Sequence, residues 1–123
     1  MSTIQIADQT FVAAPAARVA AALADRRRWR QWWPDLVLEL RADRAEQGLR
    51  WGVSGPVAGT MEVWLEPVLD GVVVHYFLHA EPVAGQSDSA RTEHDRRVAG
   101  KRMAFGLKTE LEAGRPAGVA PAG

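Results

Sequence analysis

Residues 57–81 hold two long segments of alternating hydrophobicity joined at Asp70-Gly71, and no other feature constrains the fold as tightly. Asp-Gly between two such segments is a strong hairpin signal, because a type I′ turn needs positive φ at both central residues. Placing Leu69 opposite Val72 pairs Glu66 with His75, Leu65 with Tyr76, Trp64 with Phe77, Val63 with Leu78, Glu62 with His79 and Met61 with Ala80. Met61, Val63, Leu65, Tyr76, Leu78 and Ala80 then share one face that is wholly apolar or aromatic. The other face carries two Glu–His pairs flanking a Trp–Phe pair. A one-residue slip would invert every side chain, so matching faces on both strands predict one side packed on a core.

The flanking segments supply the rest of the layers. Residues 3–12 read as a strand with Ile4 and Ile6 on one face. Ala14-Pro15 opens an Ala-rich helix, with Pro15 suited to the first helical position and Val19 and Leu23 forming a narrow stripe. A second short helix, about residues 25–31, carries Arg26, Arg27, Arg28 and Arg30, and Pro34 stops it because the residue before a proline is pushed out of the helical region. From Asp35 the period becomes two: Leu36, Leu38 and Leu40 alternate with polar neighbours, as do Leu49, Trp51 and Val53 after a turn near Gly48.

Residues 83–91 read as a loop and 92–113 as a long helix with Gly100, Met103, Ala104, Leu107 and Leu111 on one face. Val98 and Phe105 lie nearly opposite, which predicts protein contact on two sides. Gly114 and Pro116 end the helix, and the tail 114–123 is too polar and too broken to pack. Strand, two short helices, four antiparallel strands and a long C-terminal helix make one α+β domain over residues 1–113, a curved sheet around a helix.

Three pieces of this order resemble the START-like helix-grip superfamily (SRPBCC), and within it the polyketide cyclase/dehydrase-like branch. They are TFVAAPAARVAAALAD at residues 10–25, WRQWWP at 29–34 and RRVAGKRMAFGLKTELE at 96–112. The resemblance implies an apolar cavity between a curved sheet and the C-terminal helix. Its members bind lipids, sterols, polyketides or other hydrophobic molecules, and some catalyse cyclisation or dehydration. The family usually places six strands between the helix pair and the last helix. Four are legible here, which predicts a shortened sheet of five in total, the first pairing with the fifth.

Composition narrows the chemistry. Fifteen basic and fifteen acidic residues leave no net charge, so nothing global draws the chain to nucleic acid or acidic lipid. The absence of cysteine excludes a disulfide framework and a thiol nucleophile, and it fits a cytoplasmic setting. No segment is long and apolar enough to span a bilayer. Of the three histidines, His75 and His79 lie four apart on a strand, roughly 13 Å, too far to share a metal. No cofactor-binding motif is present: there is no dinucleotide fingerprint, phosphate-cradling loop or G-x-S-x-G.

Trp29, Trp32 and Trp33 fall within five residues. They either plug one end of the core or place Trp32 or Trp33 at a cavity mouth, where an indole supplies area and one N–H. Use of these rings with the arginines on a membrane or nucleic acid is a third option. Tyr76 is the sole tyrosine and sits on the apolar face, where its hydroxyl needs a partner. The expected ligand-binding set is Trp32, Trp33, Trp51, Met61, Val63, Leu65, Tyr76, Leu78, Met103 and Leu107, around a hydrophobic small molecule such as a lipid, polyketide or aromatic compound. One alternative is a polyketide aromatase/cyclase- or dehydratase-like enzyme with Tyr76 as the polar participant; no catalytic residue is otherwise assigned. Another is an interaction protein without an open cavity, a homodimer through Trp64 and Phe77 on the outer sheet face.

Overall fold

The computed structural model describes residues 4–83 and 89–112, with Ser89 by its backbone alone. Most of the expected 83–91 loop, Gly114, Pro116 and the 114–123 tail lie outside the described residues. The elements are β1 (Ile4–Val12), α1 (Ala16–Leu23), α2 (Arg26–Trp32), β2 (Val37–Asp43), a 3-10 turn at Ala45–Gln47, β3 (Gly48–Ser54), β4 (Val57–Val68), β5 (Gly71–Pro82) and α3 (Ser89–Glu112). The sheet is antiparallel in the order β1-β5-β4-β3-β2, so the first strand does pair with the fifth. One face of this sheet packs on α3 and the two short helices, which is the α+β helix-grip arrangement.

Local chemistry sets the helix ends. Pro15 is one position earlier than expected: it caps α1 with extended backbone (ψ 146°), and its carbonyl accepts from the N–H groups of Arg18 and Val19. Asp25 caps α2 by accepting from the Arg27 N–H at 3.0 Å. The side chain and N–H of Arg27 hold the Asp25 carboxyl below its usual range.

The central hairpin keeps its expected faces but not its register. Val68 faces Gly71, and the pairs are Leu65–Val74, Trp64–His75, Val63–Tyr76 and Met61–Leu78. The two-residue loop is therefore Leu69-Asp70, with Leu69 at φ 51°. Gly71 is needed for a different reason than a turn: a Cβ there would lie 2.3 Å from the Val12 carbonyl oxygen and 2.7 Å from Phe11 Cζ. Close approach of β1 draws Gly71 into the ladder and moves the turn back. A slip of two residues preserves side-chain direction, so Met61, Val63, Leu65, Tyr76, Leu78 and Ala80 remain buried.

The expected cross-strand pairs change accordingly. Glu66 and His75 still meet, diagonally, at 2.9 Å. Glu62 faces Phe77 and binds Arg44 at 2.9 Å, and His79 faces Thr60. On α3, Gly100, Met103, Ala104, Leu107 and Leu111 are buried as expected. Contact on a second side is not found at Phe105, which is 54% exposed. At Val98 the second side is met in part: this residue is half-buried and lines a groove with Gln31, Trp32 and Pro34 at the end of α2.

Candidate functional site

The end of α2 delivers its tryptophans into the core in different ways. Trp29 is buried and fixed, because its indole N–H donates to the Leu23 carbonyl at 2.6 Å. It meets Trp51 of β3 edge-on, with centroids 5.3 Å apart. Trp33 also meets Trp51 edge-on, at 5.5 Å, and stacks nearly parallel to Tyr76 of β5 at 6.5 Å. Trp32 is half-buried and lies edge-on to Trp33 at 5.5 Å. A continuous run of rings thus connects the helix pair to two central strands, an arrangement that aromatic quadrupoles favour.

The polar atoms of this run stand out. The indole N–H groups of Trp33 and Trp51 are buried and meet no acceptor among the described residues. A desolvated donor left unpaired costs about 1–3 kcal/mol. Burial pushes the Tyr76 phenol well above its ordinary value of 10.0; the Arg96 guanidinium and the Trp33 N–H, both nearby, oppose that shift. The Trp33 N–H thus faces the phenol, whereas no polar group faces that of Trp51 among the described residues. Arg96 projects from α3 and grips Asp35 with a fork of 2.6 Å and 3.3 Å, tying α3 to the segment just after Pro34. Its Nε is buried and has no acceptor among the described residues.

Two grooves flank this connection. One, of about 420 Å³, runs between it and α3 and is lined in part by Trp32, Asp35, Arg96, Ala99 and Arg102. The other, of about 220 Å³, lies between α2 and the edge strand β2. Pro34 lines both.

Of the residues expected to line a ligand site, Trp33, Trp51 and Tyr76 come together as one aromatic wall. Met61, Val63, Leu65, Leu78, Met103 and Leu107 lie fully inside the core behind it. Trp32 and Trp33 reach these two grooves, one on each side of Pro34. Arg96 was missed, although its position carried a signal: 96, 100, 103, 107 and 111 follow helical spacing, which puts a charged side chain on the apolar face. Asp35 gave no comparable signal, since its partner is distant in the chain.

On the outer sheet face, Trp64 stacks on His75 at 4.7 Å and His75 lies parallel to Phe77 at 6.2 Å. Trp64 and Phe77 remain 40% and 38% exposed. Among the described residues no group of His, Asp and Glu could hold a metal ion, and no helix is long and apolar enough to cross a membrane.

No family model matches this chain, and no curated protein matches it. Solved structures do. The chain is similar to the Aha1 dimer from Colwellia psychrerythraea, with 15% identity, TM-score 0.64, and 92% of this chain and 99% of that one covered. It is similar to Ara h 8.0201 with 9% identity and TM-score 0.63, over 91% of this chain and 99% of the other. It also matches the di-domain ARO/CYC StfQ of the steffimycin biosynthetic pathway, with 16% identity and TM-score 0.63 over 95% of this chain and 52% of that one. Identities this low show a shared fold, here the helix grip.

Proposed function

We propose that the protein binds a hydrophobic small molecule against the Trp33–Trp51–Tyr76 wall, between the sheet and α3. The observation that carries this reading is the indole N–H of Trp51, buried in an apolar core without an acceptor, next to a Trp33 N–H that faces the Tyr76 phenol. A ring-bearing guest with a carbonyl or hydroxyl oxygen would stack on the rings and supply that acceptor. The expected inner lining, Met61, Val63, Leu65, Leu78, Met103 and Leu107, would meet its apolar body. Admission requires the Trp32–Pro34 segment to move away from α3, and the Arg96–Asp35 fork is the latch that such movement breaks. The fold shared with an ARO/CYC supports a polyketide-like guest by analogy alone.

An aromatase/cyclase- or dehydratase-like reaction is the alternative for the same wall. Tyr76 would act there as a hydrogen-bond donor, since burial keeps its phenol protonated. It bonds no carboxylate or histidine among the described residues, and this favours binding over catalysis. Native mass spectrometry of freshly purified protein, followed by organic extraction, tests the reading. Recovery of an aromatic or lipid guest from wild type and its loss from Trp33→Ala supports it; a guest-free protein at every preparation overturns it.

A second reading concerns assembly. The Trp64–His75–Phe77 ladder leaves two large rings part-exposed on the outer sheet face, and the Aha1 neighbour is described as a dimer. We propose homodimerisation through this face. Light scattering at tens of micromolar should give twice the chain mass for wild type and the chain mass for Trp64→Lys.

A further inference from the structure

Arg26 and Arg30 stand one helical turn apart on α2 and line the same groove. Its apolar walls are Trp29, Trp33, Leu36 and Leu38, and no carboxylate lines it. The acids closest in sequence are engaged elsewhere: Asp25 with Arg27 and Arg28, Asp35 with Arg96. Arg26 and Arg30 form no ion pair among the described residues, as Arg18, Arg41, Arg50 and Arg102 also do not, but of these Arg26 and Arg30 line one groove together. Two like charges at this spacing repel each other along a helix, so an anion between them would relieve the repulsion.

One of the two cations, Arg26, is also held in place. The Arg26 guanidinium lies 5.0 Å from the centre of the Trp29 ring. That ring is itself fixed by its hydrogen bond to the Leu23 carbonyl. A guanidinium resting on a fixed indole face loses less freedom when it binds than one swinging in solvent. Beside it, the half-buried Leu36, just before the edge strand, and Leu38 within it offer apolar contact.

We propose that this groove binds a small aryl carboxylate: its carboxylate between Arg26 and Arg30, its ring on Leu36 and Leu38. The size follows from the space. About 220 Å³ is below the usual range of drug-sized pockets, so the body has one or two rings. The site is separate from the core wall and rests on different residues, Trp33 apart.

The test is calorimetric titration of the full chain with 2-naphthoate and with its neutral counterpart 2-naphthamide. The acid should bind about tenfold more tightly, the sum expected of two solvent-screened ion pairs. Raising the salt concentration should shrink that ratio, because exposed charges are screened. Arg26→Gln with Arg30→Gln should abolish the preference for the acid while circular dichroism stays native. Arg97→Gln, on the exposed side of α3, should leave it unchanged. Equal affinity for acid and amide, a preference that survives loss of both arginines, or binding to phosphatidylserine vesicles without binding to naphthoate would each overturn the proposal.

Discussion

Gly100 of α3 seats on the ring of Tyr76 in β5 so closely that a Cβ at position 100 would lie 2.6 Å from Cε2 and 2.8 Å from Cδ2. Glycine inside a helix costs about 1 kcal/mol relative to alanine, so close packing is the reason for its presence. Gly106 lies on the same helix, is exposed, and would put a Cβ at an ordinary 3.5 Å from the Trp32 indole nitrogen. The two alanine substitutions should therefore differ in sign. Gly100→Ala should destabilise by about 1–2 kcal/mol through overpacking, and Gly106→Ala should stabilise by about 0.5–1 kcal/mol through helix propensity. Urea unfolding of both variants measures this, and a stabilised Gly100→Ala would show that α3 does not sit this close to the sheet.

The same ring has a pH signature. Burial raises the Tyr76 phenol above its ordinary value of 10.0, so the folded state favours the neutral form. The associated stability is fully present below pH 10.0 and is lost as pH rises from there toward the folded value. Tyr76 is the sole tyrosine, so tyrosinate absorbance reports on it without interference from another tyrosine. It should stay silent a full unit above the ordinary titration and appear together with the loss of tryptophan circular dichroism. Tyr76→Phe should remove most of the alkaline loss of stability. A phenol that titrates at its ordinary value in the folded protein would contradict its burial behind Trp33.

How much of this was legible in the sequence depended on whether neighbours in the chain or neighbours in space set the outcome. Alternation in 57–68 and 71–82 fixed which side chains face the core, because side-chain direction has period two. The turn depended on β1, whose Val12 carbonyl leaves no room for a Cβ at Gly71, and nothing local shows that. Only the Trp33 part of the aromatic wall was legible as WRQWWP, because Trp51 and Tyr76 come to it from β3 and β5. The Arg96–Asp35 fork was not, since it joins residues 61 positions apart.

The displaced turn can be checked directly. Leu69 is 99% exposed and has φ 51°, a left-handed conformation that an ordinary side chain adopts at a cost of about 1–2 kcal/mol. Asparagine tolerates this region, and no buried surface is lost on replacing a fully exposed leucine. Leu69→Asn should therefore raise stability by about 0.5–1 kcal/mol, read from the thermal midpoint. With Asp70-Gly71 as the turn, Leu69 would be extended and asparagine would be neutral or unfavourable at that position. A lowered midpoint would thus restore the register read from the sequence alone.

The Arg96–Asp35 fork joins unequal partners: the arginine side chain is 8% exposed and the aspartate 44%. Removing the aspartate strands a buried cation, whereas removing the arginine charge leaves a carboxylate that water still reaches. Solvent around Asp35 discounts the interaction below that of a fully buried pair, so Asp35→Asn is expected to cost about 1–3 kcal/mol. Arg96→Met keeps most of the buried stem and should cost less, about 0–1 kcal/mol. Adding Asp35→Asn to Arg96→Met should then cost little more, because the cation it would strand is gone, and the cycle should show a coupling of at least about 0.5 kcal/mol. Denaturant midpoints of the four proteins at constant m decide the matter. If Arg96→Met proved the more damaging single change, the arginine would be acting through its packing against α2 and Tyr76 rather than through Asp35, and the fork would not be the latch that holds the tryptophan segment to α3.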